Sequence, residues 1–364
     1  MIGDAVGLGI LWSLGFLFLF RIPVLPTASG RGTQPVSIII PARNEAQNLP
    51  NLLASLADQT LEPLEIVVVD DASEDRTAAI ARAAGARVVS PPPLPGDWLG
   101  KNHACWQGAR HARGEILVFL DADTRIEDDG LRRLVEAHSR HGGFVSVQPY
   151  HRMERAYERL SAFFAFILMG GIRAFTILGR RLPPQGLFGP AIICRRDDYF
   201  AIDGHRAVKS AVLEDVELGR RARDAGYSLH CFGGRGSISF RMYPGGLREL
   251  TEGWTKNFGL GAAGAGAVMV LLISAWMAGA GVAIRLLVAG SIAQTPPRLL
   301  LGLSAYVLYV VQIHWMQARI GNFGFTSAVF YPFTLLFFVV IFVRSLQLTW
   351  LKQAVRWKGR DISV

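Results

Sequence analysis

Nearly unbroken apolar runs mark both ends of the chain, and a mixture of polar and apolar residues fills the middle. The apolar runs are 9–20, 262–284, 299–311 and 325–343. They approach or exceed the ~20 residues that a helix needs to cross the hydrocarbon core of a bilayer. The pattern predicts an N-terminal membrane anchor at 1–24, a soluble domain at 35–253, membrane segments at 259–346 and a basic tail at 347–364.

The first apolar run is compatible with a cleaved signal peptide or with an uncleaved anchor. Its start, MIGD, carries an acid and no basic residue, whereas Arg21 and Arg31 follow the run. Basic residues after the run favour an uncleaved anchor with its N-terminus outside the cell.

The soluble region alternates strand-like apolar runs with stretches of helical periodicity. The predicted strands are 36–40, 66–73, 87–90 and 116–123, and the predicted helices are 46–58, 75–84 and one beginning near Lys101. Alternation at these lengths predicts an α/β domain with a mostly parallel sheet and helices on both faces. Ligands of such sheets bind outside the carboxyl ends of the strands.

Carboxylates end two of these strands. Asp70 and Asp71 follow the second strand, and Asp121 and Asp123 follow the fourth. Residues two apart on an extended chain share a face, and two carboxylates that close repel each other unless a cation lies between them. Oxygen ligands favour Mg²⁺ or Mn²⁺. A solvated turn with capping Asp and Thr is the plain alternative for Asp121 and Asp123, but four acids at one sheet edge favour a site.

Composition changes this picture little. The chain has 364 residues, is 51% hydrophobic and carries a formal charge of +9. Many basic residues lie beside apolar segments, where the positive-inside bias and anionic lipid account for them, so nucleic-acid binding is not the leading interpretation. These residues are Arg180, Arg181, Arg344, Lys352, Arg356, Lys358 and Arg360. The cysteines, Cys105, Cys194 and Cys231, lack zinc-site spacing and fit buried thiols in a reducing cytosol.

Five motifs occur in a familiar order: PARNEAQNL (41–49), VVVDDASEDRT (67–77), GKNHACWQGA (100–109), FLDADT (119–124) and LEDVELGRRARDAGY (213–227). Together they resemble the family-two glycosyltransferases, whose catalytic domain has the GT-A (Rossmann-like) fold. The GDWLGKNHACWQGA variant and the membrane-rich C-terminus look most like the lipid-modifying branch. That branch includes the carotenoid (diaponeurosporenoate) and hopene-associated glycosyltransferases.

The resemblance implies a UDP-sugar donor and assigns its contacts. Asp71, with Asp70, would bind uridine, and Lys101 would bind phosphate at a helix start. Asp121 and Asp123, with Ala122 between them, would hold Mn²⁺ or Mg²⁺ against the diphosphate. The PARNE motif would line the nucleotide pocket through Pro41, Ala42, Arg43 and Glu45.

The pair Glu214 and Asp215 resembles the family's ED motif. Asp215 would be the general base that takes the proton of the acceptor hydroxyl, in a single displacement with inversion. The plain alternative is an acidic first turn that opposes the dipole of an arginine-rich helix.

One family motif is displaced. Polymerising members carry QxxRW soon after ED, whereas this chain reads GWTKNFGLGA at 253–262 and has QAVRW only at 353–357. Either Arg356 and Trp357 contact the donor, or the tail is a basic interfacial helix. The displacement puts processive synthesis in doubt and favours transfer of one sugar.

The segment 160–179 is long enough to span a bilayer, but a crossing there would separate Asp123 from Asp215. We expect an interfacial helix near 156–180 that lets a lipid acceptor enter sideways, with an ordinary buried helix as the alternative. The sequence 186–205 resembles the acceptor-binding strand and turn, where Gly189 would permit close approach and Asp203 or His205 would be polar contacts.

Four crossings would leave the basic tail outside the cell, against the positive-inside rule. We therefore expect a cytosolic C-terminus and a re-entrant or interfacial path for part of 259–290, which carries Arg285.

The sequence predicts a multi-pass plasma-membrane enzyme with a cytoplasmic catalytic domain. The resemblance implies that it would transfer a sugar, expected to be glucose, from a UDP-sugar to a carotenoid or other terpenoid lipid. The alternatives are a processive polysaccharide synthase, an inactive membrane scaffold and a nucleotidyltransferase.

Overall fold

The computed structural model describes residues 2–30, 34–264, 266–352, 354–357 and 360–363. Residues 180, 256–264, 349–352, 354–357 and 360–363 are described by their backbone alone. Within these ranges a mixed α/β domain packs against a group of apolar helices.

A seven-stranded sheet forms the centre of the α/β domain. Its order is β3-β2-β1-β4-β8-β6-β9, and β8 runs antiparallel to both of its neighbours. The near-continuous Val, Ile and Leu runs of the central strands are buried on both faces, as expected for a sheet covered by helices on each side. The strands are β1 (Val36–Ala42), β2 (Glu65–Asp70), β3 (Arg87–Val89), β4 (Ile116–Leu120), β6 (Phe144–Gln148), β8 (Ala191–Arg195) and β9 (Leu229–Gly233).

Helices cover both faces, and a second small sheet lies beside the site. The helices are α2 (Leu49–Ala57), α3 (Thr77–Ala83), α4 (Gly100–His111), α5 (Gly130–His141), α7 (Arg196–Ala201) and α8 (Glu214–Asp224). The small sheet has the order β5-β10-β7, with β5 (Thr124–Ile126), β7 (Tyr150–His151) and β10 (Ile238–Phe240). The four predicted strands and three predicted helices are all present, with ends shifted by a few residues.

The apolar helices are α1 (Ile2–Phe18), α9 (Leu247–Gly264), α10 (Ala267–Ile292), α11 (Pro296–Ile320), α12 (Phe325–Val329) and α13 (Tyr331–Lys352). By length and composition, three of the described helices are able to cross a membrane: Ala267–Ile292, Pro296–Ile320 and Tyr331–Leu348. Helix α1 is shorter, at 17 residues.

Buried polar contacts fix how α1, α10 and α11 pack. Gln312 of α11 accepts a hydrogen bond from the indole of Trp276 on α10 (2.8 Å) and donates to the carbonyl of Trp12 on α1 (3.0 Å). A Cβ on Gly15 would lie 2.7 Å from both the Gln312 amide and the Trp276 indole nitrogen. Glycine at this position therefore lets α1 approach the other two helices closely.

Helices α12 and α13 turn back towards the catalytic domain. Ser327 of α12 contacts Gln317 near the end of α11. Tyr331, at the start of α13, packs on Tyr306 with ring centroids 5.0 Å apart and donates to the Ala280 carbonyl. Tyr306 lies about 21 Å before the C-terminal end of α11, measured along the helix axis at 1.5 Å per residue. Helix α13 therefore begins well inside the helix group. Near the other end of α13, Ser345 donates to the carbonyl of Thr255 on α9.

The segment 160–179, for which we expected an interfacial helix near 156–180, does not form one continuous helix. A 3₁₀ turn (Ala156–Ser161) leads into the ten-residue helix α6 (Ala162–Gly171), which is too short to cross a membrane. Most of its side chains are buried, and Phe164 stacks on Trp254 of α9 at 4.7 Å. The packing matches the buried-helix alternative, because both sides of α6 are covered by other helices.

The tail does not form the helix that one interpretation expected. In the described residues, β11 (Ala354–Trp357) pairs antiparallel with β12 (Arg360–Ser363). The side chains of Arg356 and Trp357 lie outside the described part of the chain, as do Gln353 and Lys358. The donor contacts expected of Arg356 and Trp357 therefore stay a prediction.

The turning segment also differs from the expected one. Residues 259–290 contribute to α9 and to the long helix α10, and it is α12 with α13 that reverses direction. Arg285, the reason for expecting a re-entrant path, lies only about 10 Å from the end of α10 and is exposed. A long cationic side chain so placed reaches water by extending along the helix surface.

Candidate active site

The two aspartates after β4 face different spaces. The chain turns directly after Leu120, because the backbone N–H and hydroxyl of Thr124 both donate to the Asp121 carbonyl, at 3.1 and 2.7 Å. Asp121 lines a large cavity, whereas Asp123 lines a polar pocket of about 340 Å³. The expectation that both share one face of an extended strand is wrong, because the strand has already ended.

Lys101 joins the two acidic motifs. It lies in the first turn of α4, and its Nζ is 2.8 and 3.0 Å from the two carboxylate oxygens of Asp121 and 2.9 Å from Oε1 of Glu214. Burial alone would lower the pKa of Lys101, but these two carboxylates hold it well above its usual value. Lys101 is therefore a cation, and it bridges the end of β4 to the start of α8.

The carboxylates beside Lys101 respond differently to burial. Burial raises the pKa of Asp121, and the charges of Glu214 and Glu45 raise it further against the opposing effect of Lys101. For Glu214, burial also opposes ionisation, but Lys101 and its hydrogen bond hold the pKa below its usual value. The site therefore holds more negative charge than the one lysine compensates.

Asp215 is fixed by backbone donors. Its Oδ2 accepts from the N–H of Gly189 at 2.8 Å, and its Oδ1 accepts from the N–H of Val216 at 2.9 Å. Burial, with the charge of Glu214, raises the pKa of Asp215 to about 7, while Lys101 and the two N–H groups partly oppose this. A carboxylate with that pKa is suited to accept and release protons near neutral pH.

Glycines let the start of α8 press against the loop before β8. A Cβ on Gly219 would lie 2.7 Å from the Cα of Gly186, and a Cβ on Gly186 would lie 2.6 Å from the Cα of Val216. Gly189 was expected to permit close approach of sugar or acceptor. Its closest described neighbour is Asp215 itself, so the glycine allows the base to sit against the backbone.

The expected nucleotide-binding loops are locked to each other. The Arg43 guanidinium donates to the Asp71 carbonyl at 2.7 Å, and the Asn44 N–H donates to the Ser73 hydroxyl at 3.0 Å. Glu45 donates its N–H to the Thr77 hydroxyl at 2.8 Å. The structure thus brings the end of β1, including Pro41 and Ala42, next to the end of β2.

The acids at the end of β2 point in different directions. Asp70 accepts a hydrogen bond from the Ser73 N–H at 3.2 Å, which shapes the turn. The side chain of Asp71 is buried, with only 7% exposure, and its charge is felt by His103 on α4. The parallel register of β2 with β1 and of β1 with β4 brings the carboxyl ends of these strands to the same edge.

A cavity of about 680 Å³ runs from the acidic cluster into the apolar helices. Lys101, Asp121, Glu214 and Asp215 line one end. The remainder of its wall is dominated by apolar side chains from α6, α10 and α13: Ile167, Leu168, Val270, Ile273, Met277, Leu335, Phe338, Val339 and Phe342. One continuous space therefore connects a candidate general base with helices of membrane-spanning character.

Several lining residues were missed by the sequence analysis. Gln148 ends β6, His151 lies in β7, and Gln185 and Phe188 precede β8. Burial lowers the pKa of His151 to about 3, so this imidazole is neutral. No local pattern identifies these residues, because they come together only through the strand order β8-β6 and the small sheet.

Asp203 and His205, the expected polar acceptor contacts, lie elsewhere. Asp203 pairs with Arg206, and His205 hydrogen-bonds the Tyr199 hydroxyl at 2.9 Å. Neither lines the cavity. His205 is buried, which lowers its pKa to about 4 against the opposing charge of Glu214.

The donor set fits a divalent cation that also contacts a diphosphate. Among the described residues, no group of three or more His, Cys, Asp or Glu side chains forms a complete metal cage. Mg²⁺ is commonly held by one or two carboxylates together with substrate phosphates. Asp121 and Asp123 supply two carboxylates, and the excess negative charge around Asp121 is of the kind that a cation relieves.

Comparison with known proteins identifies the family. A family model described as Glycosyl transferase family 2 matches residues 37–209. A 4,4'-diaponeurosporenoate glycosyltransferase of Staphylococcus aureus (strain USA300) is 34% identical over 334 residues, which cover 90% of this chain and 88% of the relative. This chain belongs to glycosyltransferase family 2. The relative of the same name in Staphylococcus haemolyticus (strain JCSC1435) is also 34% identical, over 92% of this chain and 90% of its own.

A solved structure supports the fold of this glycosyltransferase. The mannosyltransferase PcManGT from Pyrobaculum calidifontis, in complex with GDP-Man and Mn²⁺, superposes with a TM-score of 0.52 and 21% identity. The match covers 90% of this chain and 94% of the mannosyltransferase. This match confirms the expected GT-A fold. The family model and the named relatives confirm the expected glycosyltransferase activity, whereas the role of each site residue stays a prediction.

Proposed function

We propose that this glycosyltransferase moves a sugar from a UDP-sugar to an apolar terpenoid acceptor of the carotenoid type, with inversion at the anomeric carbon. The observation that carries the proposal is the continuous cavity from Asp215 to the apolar helices. A water-soluble acceptor would gain no binding free energy from such a wall. An apolar acceptor would gain ~25 cal/mol of binding free energy for each Å² of apolar surface that the wall buries.

The donor would lie across the carboxyl ends of β1, β2 and β4. Asp71 and Asp70 would contact the uridine, with the 41–45 loop around it. Lys101 would move from Asp121 towards the diphosphate as the donor binds, since a lysine at a helix start favours phosphate. Glucose is the sugar we expect in this donor.

Asp121 and Asp123 would hold Mn²⁺ or Mg²⁺. When bound, the ion neutralises negative charge on the departing nucleoside diphosphate. The solved mannosyltransferase contains Mn²⁺ and GDP-Man, which supports a metal and a nucleotide-sugar in general. The particular ion and base in this protein are part of the proposal.

Asp215 would take the proton of an acceptor hydroxyl as the oxygen attacks the anomeric carbon. The Gly189 and Val216 N–H groups hold this carboxylate at the cavity end. Glu214, paired with Lys101, would position the lysine and is not assigned a proton transfer. An acceptor carboxylate is already ionised at neutral pH and would need less help from Asp215.

The acceptor class rests on two observations. The cavity wall is mostly apolar, and the curated relatives are named for 4,4'-diaponeurosporenoate. An apolar channel does not favour a growing polysaccharide, so the processive alternative is the weaker one. The position of the QxxRW motif, at 353–357 and not soon after the ED pair, also argues against processive synthesis.

We also propose a multi-pass plasma-membrane protein whose catalytic domain faces the cytoplasm. Arg21 and Arg319 lie where α1 and α11 meet the catalytic domain, and Arg319 donates to the Phe20 carbonyl. By the positive-inside rule, basic residues at that end favour a cytoplasmic position.

Purified protein in lipid nanodiscs provides the test. UDP-glucose and GDP-mannose would each be incubated with Mn²⁺ or with EDTA, and with either a C30 carotenoid acid or a hydroxylated carotenoid. We expect a glycosylated carotenoid from UDP-glucose with Mn²⁺, detected by mass spectrometry. Transfer from GDP-mannose alone would overturn the donor assignment, and donor turnover without any lipid product would overturn the acceptor assignment.

A further inference from the structure

The cavity opens through the side of the helix group. Val270, Ser274 and Ala278 recur every four residues along α10 and so form one stripe. All three line the cavity and are also exposed, as is Val339 on α13. We name the gap between these four residues the side opening.

The surface around the side opening is apolar. Leu271 is 70% exposed, Leu336 is 61% exposed and Val340 is 54% exposed, all on the same two helices. Exposed aliphatic side chains on a helix long enough to span a bilayer indicate contact with lipid. The side opening therefore faces hydrocarbon and not water.

We propose that the apolar chain of the acceptor enters from the bilayer through the side opening and lies along the stripe on α10. Val270 and Gly281, the first and last α10 residues of the wall, are about 16 Å apart along the helix. The inner end of the same cavity reaches Asp215, so a chain in this position has its reacting end at the base. The proposal rests on the apolar acceptor proposed above and adds the route.

Gly281 provides a means to close the route. A Cβ at this position meets no heavy atom within 4 Å, although the residue lines the cavity wall. A larger side chain would therefore project into free space and not into the protein. Gly9 on α1 is a matched control, because its Cβ also meets nothing within 4 Å but the residue does not line the cavity.

Photo-methionine offers a probe of the lipid in the cavity that does not depend on sugar transfer. Met242 and Met277 line the cavity, whereas Met269 and Met316 are buried outside its wall. The photo-methionine protein would be irradiated in membranes of a host that makes a C30 carotenoid acid, and its peptides analysed by mass spectrometry. We expect lipid adducts on Met277 that carry a hydroxyl or carboxyl group, and only protein crosslinks from Met269 and Met316.

Gly281→Leu should reduce the Met277 adduct and the transfer rate at least about tenfold, the scale on which a pocket discriminates by a few methylene groups. Gly9→Leu should change neither. No lipid on Met277, or phospholipid alone, would overturn the proposal, as would an adduct unchanged in Gly281→Leu. The adduct does not require turnover, so its loss is distinguishable from failure of the proposed transfer reaction.

Discussion

Gly189 and Asp215 are in contact through backbone and side chain: the Gly189 N–H donates to Asp215 Oδ2 at 2.8 Å, and a Cβ on Gly189 would lie 2.9 Å from that oxygen. Gly189, just before β8, therefore sets the position of Asp215, the candidate base in the first turn of α8. No other residue type fits at 189 without moving the carboxylate.

Gly189→Ala should displace Asp215 and lower kcat about 10²-fold, the effect of a shift of about 1 Å in a catalytic group. The donor KM should change less than kcat, because β4 lies between β8 and the strands that carry the nucleotide loops. Gly96→Ala is the control, since its Cβ would meet nothing within 4 Å. Equal losses in both variants would contradict a specific role for the Gly189 contact.

The pH dependence should report Asp215. Its pKa is raised to about 7, so the base form predominates above that pH and is lost as the pH falls through it. With a hydroxylated acceptor, kcat should therefore fall below pH ~7 and level off above it. Asp215→Asn should cost 10²- to 10⁴-fold, on the order expected for general base catalysis, and remove this inflection.

A carboxylic acid acceptor provides the contrast. It is ionised throughout this pH range, so Asp215→Asn should reduce its transfer much less. An unchanged pH profile in the variant with the hydroxylated acceptor would show that another group is the base.

Lys101 should contribute to stability as well as to donor binding. Replacing it by Met leaves Asp121 and Glu214 without their shared cation, and we expect a loss of about 1–3 kcal/mol in the free energy of unfolding. The lower part of that range is favoured, because 37% of the lysine side chain is exposed. Chemical denaturation of the purified protein would measure it.

A second substitution separates the causes. In the double variant Lys101→Met with Glu214→Gln, the repulsion between Asp121 and Glu214 is relieved. Part of the stability lost in Lys101→Met should therefore return. The donor KM should stay raised, because the lysine that would meet the diphosphate is still absent. Full recovery of donor binding in the double variant would exclude a phosphate role for Lys101.

Asp121→Asn and Asp123→Asn should each weaken Mn²⁺ binding in the presence of UDP, measured by electron paramagnetic resonance, and reduce transfer at least about 10²-fold. Asp121 and Asp123 line different spaces, so comparing Mn²⁺ binding by the two variants shows whether both residues are ligands. If Asp123→Asn binds Mn²⁺ as the wild type does, Asp121 alone is the protein's ligand. Full activity of either variant in EDTA would contradict the metal assignment.

How far the sequence predicts this site depends on the distance over which each pattern acts. Runs such as Val67–Val69 and Ile116–Leu120 are buried on both faces, so strand positions and the acidic edge follow from local pattern. The hydrogen bond between Gly189 and Asp215 does not follow from local pattern. Gly189 is 26 residues away, and the contact depends on β8 inserting antiparallel between β4 and β6.

Local rules also failed where the chain changes conformation. Period-two alternation places Asp121 and Asp123 together only if the strand continues, and the Thr124 hydrogen bonds show that it stops. Likewise, the apolar composition of 160–179 indicates burial but does not say what covers it. Trp254 and Phe338, from distant parts of the chain, cover α6 through Phe164.

The side of the membrane on which the tail lies follows from the course of α13. This helix begins beside Tyr306, deep along α11, and reaches Thr255 of α9 at Ser345. Because α9 leads out of the catalytic domain, we expect the tail on the same side of the membrane as that domain, as the basic residues also favour. A cysteine added after Val364, in a variant lacking Cys105, Cys194 and Cys231, should resist an impermeant thiol reagent in intact cells and react after lysis.

Ala293→Cys in the same background is the matched control. Ala293 is exposed in the turn between α10 and α11, at the end of the helices away from the catalytic domain. It should react in intact cells while the tail cysteine does not. Reaction of both would mean that α13 crosses the membrane fully and that Arg356 and Trp357 lie away from the donor. Reaction of the tail alone would mean that the catalytic domain faces outwards.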